Sequence, residues 1–347
     1  MKFESIYSTI REMASKTIAL LTVVVILTAL LTTACTENTL EDYKSALEKT
    51  ENIQRGKTHT DLELQMNFEM DGLDEEEARQ LKSFENIKYE GTSSFDYTGD
   101  QAKVESINLL SLGGLGMNFD YYQLGDEMAL YIPMLGKFLN LTSQDIDKLS
   151  EDTDNLGKIA SLQLTDETVQ ALENVWKQTF EADEVIKGED SIMETPEGDV
   201  RVVKFTIEPD KEKLKDFVKK TTEIIVKDEN IQAEFGEMSF DNGKVLKAED
   251  FLSGLDDAME KWQVQTFKVV DFIDVDGYIV QTTVNISIKM DIDMPGAPNA
   301  FNMTLETTNY EIEKNQSIDF PELTEENSLS IQELEQGLPS TYENLIE

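Results

Sequence analysis

The chain has 347 residues, of which 39% are apolar, enough for one large domain or two small ones with a substantial buried core. Its 70 acidic residues against 30 basic ones give a formal net charge of −40. Nucleic acids and anionic lipid surfaces attract proteins through Lys and Arg, so this charge argues against both as direct electrostatic partners.

The N-terminal segment differs from the rest of the chain. Residues 17–34 form an uncharged run of 18 residues, on the border between a signal-peptide core and a short transmembrane helix. The run ends in LTTAC (31–35), which resembles a lipobox, the cleavage and acylation signal of bacterial lipoproteins, although Thr32 stands where Leu is more common. We therefore predict a signal peptide over 1–34 and a palmitate-type lipid anchor on Cys35, with an uncleaved membrane anchor as the alternative.

Cys35 is the only cysteine, so the chain can form no internal disulfide. An unpaired thiol outside the cell is an oxidation liability that acylation removes, and two acyl chains anchor a protein stably where one does not. The lipid-anchored segment 35–56 then predicts a polar linker and a short helix, roughly Leu40 to Ile53, that spaces or caps the domain.

The next part of the chain predicts a β-meander. Asp61–Met70 alternates strictly between polar and apolar residues, which is typical of a strand with one buried face. After an acidic insert at 71–79, a second strand follows near 87–97. Further strands are expected at 102–112, 116–124 and 127–132.

The middle of the chain predicts helices and a hairpin. Thr165 and Asp210 each look like the N-cap of a helix with an apolar stripe. Between these helices, 184–194 and 200–207 flank a turn. A third helix is expected over Ala248–Trp262, so both tryptophans fall on predicted helices.

The last part returns to strands. Residues 264–275 and 278–294 flank Asp276-Gly277, a strong hairpin signal. Alternation in 284–294 resembles that in 61–70, and Phe301–Glu313 predicts a final strand. The acidic tail 322–347 is expected to be loosely ordered.

One domain over 57–321 is the economical arrangement, because half-apolar strands at both ends of the chain need each other's cover. The predicted class is α+β, with a large curved antiparallel sheet and helices covering its concave face. Methionine adapts to irregular apolar ligands, so the apolar faces of the two alternating segments are candidates for a ligand cavity, and ordinary core packing is the alternative. The candidate residues are Leu62, Leu64, Met66, Phe68, Met70, Ile286, Ile288, Met290, Ile292 and Met303.

Motifs that carry chemistry are few. His59 is the only histidine, which leaves little material for a zinc site or a catalytic triad, and we interpret it as a surface residue. The glycine-rich stretch 112–116 lacks the Lys-Ser/Thr of a phosphate loop and predicts a turn. The stretches 152–157 and 274–277 are similar to calcium loops but lack the glutamate that completes one. We therefore predict no catalytic residue, metal or cofactor, and no enzyme.

The order of elements resembles the LolA/LppX-like lipoprotein superfamily, in particular uncharacterised Gram-positive surface lipoproteins, over about residues 40–322. The resemblance implies a half-open β-barrel whose concave side is plugged by helices and holds an apolar cavity for acyl chains. It carries over no catalytic residues. The segments that carry it are TDLELQMNF (60–68), YIPMLGKFLNL (131–141), VKFTIEPDKEKL (203–214) and YEIEKNQSIDFPE (310–322).

Two functions follow as hypotheses. The first is a non-enzymatic lipoprotein, anchored to the extracytoplasmic face of the cell membrane, that binds a lipid or acylated molecule in a concave apolar cavity. The second is an interaction or sensory lipoprotein with a packed core and an acidic surface that binds a partner.

Overall fold

The structure is a computed structural model. It describes residues 39–141, 164–179, 184–232, 252, 259–291, 295–330 and 333. Several predicted features lie outside the described residues, namely the signal peptide with Cys35, Ile292, the calcium-like stretch 152–157, most of the helix expected at 248–262, and the end of the acidic tail.

Four helices and twelve strands of the described residues build the fold. The helices are α1 (Thr39–Glu51), α2 (Glu75–Lys82), α3 (Asp166–Thr179) and α4 (Lys211–Lys227). The strands are β1 (Arg55–Phe68), β2 (Asn86–Asp96), β3 (Lys103–Leu112), β4 (Leu115–Leu124), β5 (Glu127–Ile132), β6 (Lys137–Leu141), β7 (Val185–Thr195), β8 (Gly198–Ile207), β9 (Trp262–Asp274), β10 (Ile279–Met290), β11 (Pro298–Tyr310) and β12 (Ser328–Leu329).

All twelve strands belong to one sheet, in the order β12-β6-β5-β4-β3-β2-β1-β11-β10-β9-β8-β7. Every neighbouring pair is antiparallel except β12 with β6, which is parallel. The sheet is open, since β12 and β7 lie at its two ends. The predicted α+β fold with a large, curved, mainly antiparallel sheet and helices against one face is confirmed.

The inner face of the sheet is the face that carries Leu62, Leu64 and Met66 of β1. Leu64 lies opposite Met303 of β11, and Met303 lies opposite Ile286 of β10, so apolar side chains form continuous rows across the strands. These rows belong to one buried cluster that also contains Leu214 and Phe217 of α4, and Tyr43 and Leu47 of α1. Full burial of an aliphatic or aromatic side chain contributes roughly 1.5–3 kcal/mol, so this cluster is the main source of stability.

Of the two roles predicted for α1, spacer or cap, the structure shows a cap that packs into the core. Tyr43, Ala46 and Leu47 are at most 2% exposed, and the Tyr43 ring stacks on Phe205 of β8. Strand β1 also begins at Arg55, two residues before the expected domain boundary. Residues 39–54 are therefore part of the folded domain.

One helix was not foreseen, and two expectations were wrong in detail. Helix α2 begins within the acidic insert, and Asp74 and Glu77 form a capping box at its N-terminus. Trp262 begins β9 instead of ending a helix, because its ring is buried on the inner face, in register with Met290. The start of the tail is ordered, since Ser328 and Leu329 pair with β6.

The predicted helix caps and turns are confirmed. Asp210 accepts hydrogen bonds from the backbone N–H of Glu212 and Lys213 at 2.9 Å, and Thr165 accepts from Thr168 at 3.3 Å. Gly277 closes the β9–β10 hairpin with φ 85°. Among the helices that the structure describes, none is long and apolar enough to cross a membrane.

Candidate functional site

The structure brings the candidate cavity residues together. Leu62, Leu64, Met66 and Phe68 on β1 lie on the inner face, beside Met303 on β11 and the candidates on β10, which are Ile286, Ile288 and Met290. Met70 follows the end of β1 and is half-buried. The two alternating segments therefore share one surface, and α1 and α4 pack in the same cluster.

These residues have the burial of a protein core. Met66 is 2% exposed, Met303 4% and Ile286 6%. Leu62 and Phe68, at the border of the cluster, are half-buried. The side chains on this part of the inner face therefore contact mainly other side chains of the core.

The inner face continues beyond the core over β2–β5. Leu62 lies opposite Tyr89 of β2, Tyr89 opposite Leu110 of β3, and Leu110 opposite Met117 of β4. We call this region the aromatic half of the inner face, after the five rings that it carries. These are Tyr89, Phe95, Tyr97, Phe119 and Tyr121, and each is half-buried or exposed.

The aromatic half is free of charge. From Ile87 to Leu130, no inner-facing strand position of β2–β5 is occupied by Asp, Glu, Lys or Arg, although 29% of the whole chain is charged. The charged residues of these strands, such as Lys88, Glu90 and Asp120, occupy the alternate positions on the outer face. The inner face of these strands is therefore partly accessible and carries apolar and neutral polar side chains, whereas their charged side chains lie on the outer face.

A hydrogen-bond network orders this surface. Asn108 of β3 is the centre, because its Oδ1 accepts from the Tyr89 hydroxyl at 2.7 Å and from the Ser106 hydroxyl at 3.0 Å. Its Nδ2 donates to the carbonyl oxygen of Ser106 at 3.1 Å and of Phe119 at 3.3 Å. A bond of 2.8 Å from the Ser93 hydroxyl to Ser106 Oγ extends the network to β2.

Gly91 makes room for this network. A Cβ at this position would lie 2.3 Å from the Tyr89 hydroxyl and 2.8 Å from Asn108 Oδ1, so any larger residue would displace the ring. Burial raises the pKa of Tyr89, Tyr97 and Tyr121 above the ordinary value of a phenol, which is already protonated at physiological pH, so these rings carry no charge. The surface offers rigid rings and uncharged polar groups to whatever contacts it.

One ionisable group lies inside the core itself. Asp271 of β9 is 1% exposed and accepts hydrogen bonds from the hydroxyls of Tyr43 on α1 and Thr282 on β10. Burial raises the pKa of Asp271 to about 6, against the opposing effect of the Thr282 and Tyr43 bonds. Burial, followed by the charge of Asp271, raises the pKa of Tyr43 well above its usual value. With no access to solvent, this group holds α1 on the sheet.

The outer face carries the only histidine. His59 Nδ1 lies 2.9 Å from Thr92 Oγ1, and His59 Nε2 lies 3.1 Å from Asp61 Oδ2. One ligand atom from each of His59, Asp61 and Glu90 lies within 4.8 Å of the other two. The expected surface position of His59 is confirmed, but its carboxylate neighbours were not foreseen. The signal in the sequence was the spacing of His59 and Asp61, which places both on one side of a strand.

Comparisons with known proteins assign no family. No protein-family model matches the chain, and no curated protein matches it. Among solved structures, one match is the crystal structure of a beta-barrel-like protein of domain of unknown function DUF1849 from Brucella abortus. It shares 8% sequence identity with a TM-score of 0.16, over 75% of this chain and 100% of the other. This similarity is too low to carry an argument about fold or function.

Proposed function

We propose that the protein is a lipoprotein anchored through Cys35 to the extracytoplasmic face of the cell membrane, where it binds an apolar or amphipathic ligand without catalysing a reaction. The ligand class is a lipid or an acylated molecule, as in the LolA/LppX-like proteins that the sequence resembles. The observation that carries the proposal is the uncharged, partly accessible aromatic half of the inner face in a chain with a net charge of −40.

Binding of such a ligand would be driven by the burial of apolar area, with little cost for desolvating uncharged groups. Each aromatic ring offers a large rigid apolar surface, and removal of apolar area from water contributes roughly 25 cal/mol per Å². A hydrocarbon chain adds about 0.8 kcal/mol for each buried CH₂ group. A neutral donor such as the exposed Tyr97 hydroxyl would meet an ester or carboxyl oxygen at one end of such a ligand without the cost of burying a charge.

The candidate residues of the sequence analysis would then be the wall beside the ligand. Leu64, Met66 and Ile286 belong to the buried cluster that α1 and α4 share, whereas Tyr89, Phe119 and Tyr121 continue the same face with more accessible rings. In this proposal the ligand contacts the half-buried side chains of β2–β4. The part of the inner face that carries Met66, Met290 and Met303 closes one end of the site.

A second function is favoured by the edge strand β7. Ile186 is 56% exposed and Ile192 73%, and among the described strands β7 pairs with β8 alone. An exposed strand edge can add a strand from another chain. An interaction or sensory lipoprotein would use this edge and the acidic exterior to bind its partner.

Neighbouring tyrosines on opposite faces of β4 provide the test. In a chain that begins at Thr36, Tyr121→Ala should weaken binding of a fluorescent fatty acid several-fold, because a ring of the proposed site is lost. Tyr122→Ala is the matched control, since Tyr122 is also half-buried but lies on the outer face, where it packs against Phe138. Equal loss of affinity in both variants, or no binding by the parent chain, would contradict the proposal and favour the interaction module.

A further inference from the structure

Strands β1 and β2 juxtapose one imidazole and two carboxylates on the outer face. His59 and Asp61 are two residues apart on β1 and therefore project from the same face. Across the strand pair, Thr92 lies opposite His59 and Glu90 lies opposite Asp61. The four side chains form a rectangle in which three corners can ligate a metal ion and the fourth can hydrogen-bond the imidazole.

The register puts like charges side by side. Asp61 lies opposite Glu90 on β2 and opposite Glu306 on β11, so three carboxylates stand in one row across three strands. Like charges directly opposite each other destabilise a sheet. Within the part of the chain that the structure describes, no Lys or Arg forms a salt bridge with Asp61 or Glu90.

In the next cross-strand pair, a lysine compensates the charge of the glutamate. Glu63, two residues after Asp61, lies opposite Lys88, and its Oε1 is 3.0 Å from the Lys88 ammonium. Glu306 is also partnered, because its Oε1 accepts a 2.9 Å bond from Gln281 Nε2. Among the described residues, no such cation or amide contacts Asp61 or Glu90, and the side chain beside them is His59.

We propose that His59 Nε2, Asp61 and Glu90 bind a divalent transition-metal ion of the Zn²⁺ class. Ligands on one such ion, with bonds of 2.0–2.2 Å, stand roughly 3.0–3.5 Å apart. The 3.1 Å between His59 Nε2 and Asp61 Oδ2 already has this spacing, and a rotation of the exposed Glu90 side chain supplies the third ligand. Water completes the coordination on the solvent side.

Thr92, at the fourth corner, can hydrogen-bond the imidazole nitrogen that does not bind the ion, and such a bond orients the histidine in many metal sites. In the tautomer that carries its proton on Nε2, His59 donates to Asp61 Oδ2 and its Nδ1 accepts from the Thr92 hydroxyl, at the observed 3.1 Å and 2.9 Å. With an ion, the ring proton moves to Nδ1 and is donated to Thr92 Oγ1, which leaves the Nε2 lone pair for the metal. A hydroxyl can serve both states because it both donates and accepts.

The ligand set and the charge of the chain select the ion. An imidazole nitrogen with carboxylate oxygens suits Zn²⁺ and its transition-metal neighbours, whereas Ca²⁺ and Mg²⁺ prefer oxygen ligands alone. The net charge of −40 raises the concentration of cations at the surface. The site is independent of the proposed function, because it lies on the opposite face of the sheet from the aromatic half.

The test is a Zn²⁺ titration of the full chain in detergent, with any free Cys35 thiol alkylated. The single histidine gives one pair of imidazole signals in NMR, so any change in these signals comes from His59. We expect a saturable shift of these signals at one equivalent of Zn²⁺, with no such shift on Ca²⁺ addition. A response that rises linearly without saturating, or one that Ca²⁺ reproduces, would overturn the proposal.

Three variants locate the binding, with the Zn²⁺ affinity measured by competition with a chromophoric chelator. Glu90→Gln and Thr92→Val should each weaken binding by roughly 10–100-fold, and His59→Ala by at least as much. Glu63→Gln is the control, because it removes the same charge from the same face of β1 outside the site. An equal loss in Glu63→Gln and Glu90→Gln would show general electrostatic attraction only and refute the site.

Discussion

At the residue scale, the central feature is a carboxyl group in the middle of an apolar core. Asp271 occupies an inner position of β9, between Val269 and Ile273 on the same face, and is satisfied by hydroxyls from two different elements. A buried acid of this kind favours its neutral form and links the protonation of the core to the position of α1.

The raised pKa of Asp271 predicts an unusual pH dependence. Below about pH 3.8 the acid is protonated in both folded and unfolded chains. As the pH rises towards 6, the unfolded chain loses the proton while the folded one retains it, so the free energy of unfolding falls and then levels off above about pH 6. Asp271→Asn should therefore gain stability relative to the parent chain between pH 4 and pH 6.

Urea unfolding at pH 4, 5, 6 and 7 measures this difference. Asp126→Asn, in the exposed turn between β4 and β5, is the control and should show no comparable trend. Asp228 acts in a separate window: burial would raise its pKa, but bonds from Thr168, Thr165 and Ile231 outweigh it and lower the pKa to about 2. Its contribution is complete above about pH 3.8 and is lost as the pH falls through 2. A parallel course of Asp271→Asn and the parent between pH 4 and 6 would contradict the assignment.

At the scale of elements, the two N-terminal helices are both rich in charge, yet only one belongs to the core. Helix α1 buries Leu40, Tyr43, Ala46 and Leu47, whereas α2 buries no residue and rests on its capping box. The apolar stripe of α1 was visible in the sequence, but whether it covers the sheet or merely precedes it depends on the β8–β10 surface that receives it.

This contrast predicts different costs for the same substitution. Leu47→Ala should destabilise the domain by about 2–5 kcal/mol, because Leu47 is 1% exposed and its loss leaves a cavity. Leu81→Ala in α2 is the matched control and should cost about 1 kcal/mol or less, since Leu81 is only half-buried. Urea midpoints of both variants test this, and similar losses would mean that α1 is not docked as described.

At the scale of the whole molecule, the fold places its N-terminal helix directly after the predicted anchor. Because α1 begins at Thr39, only a few residues separate Cys35 from the folded domain. In the proposed function, the sheet therefore stands close to the membrane surface, with its inner face accessible to lipid or acylated ligands.

The anchor itself is tested by Cys35→Ala in a bacterial host. We expect this variant to keep residues 1–34 and to incorporate no labelled palmitate, because the thiol that accepts the lipid is gone. The parent chain should lose the signal peptide and carry the label, as measured by intact mass. A variant that matures to the same peptide mass and resists detergent-free washing of the membrane would contradict the lipobox interpretation.

The sequence by itself determined the features that depend on near neighbours. Alternation between polar and apolar residues showed which side of β1 and β10 is buried, because a strand has a period of two and one face must leave water. Asp210 as an N-cap and Asp276-Gly277 as a turn were equally local, since backbone hydrogen bonding and φ depend on a few adjacent residues. Helix α2 was not predicted, because it buries no residue and its sequence therefore lacks a periodic apolar stripe.

Only the tertiary structure decided which strands are neighbours. Tyr43 and Asp271 are 228 residues apart, and β1 pairs with β11 across nearly the whole chain. Those pairings place Glu90 beside Asp61 and His59, leave the aromatic half outside the packed core, and add β12 to β6. They result from the complementarity of whole surfaces competing for one core, and a local pattern of polar and apolar residues does not contain that information.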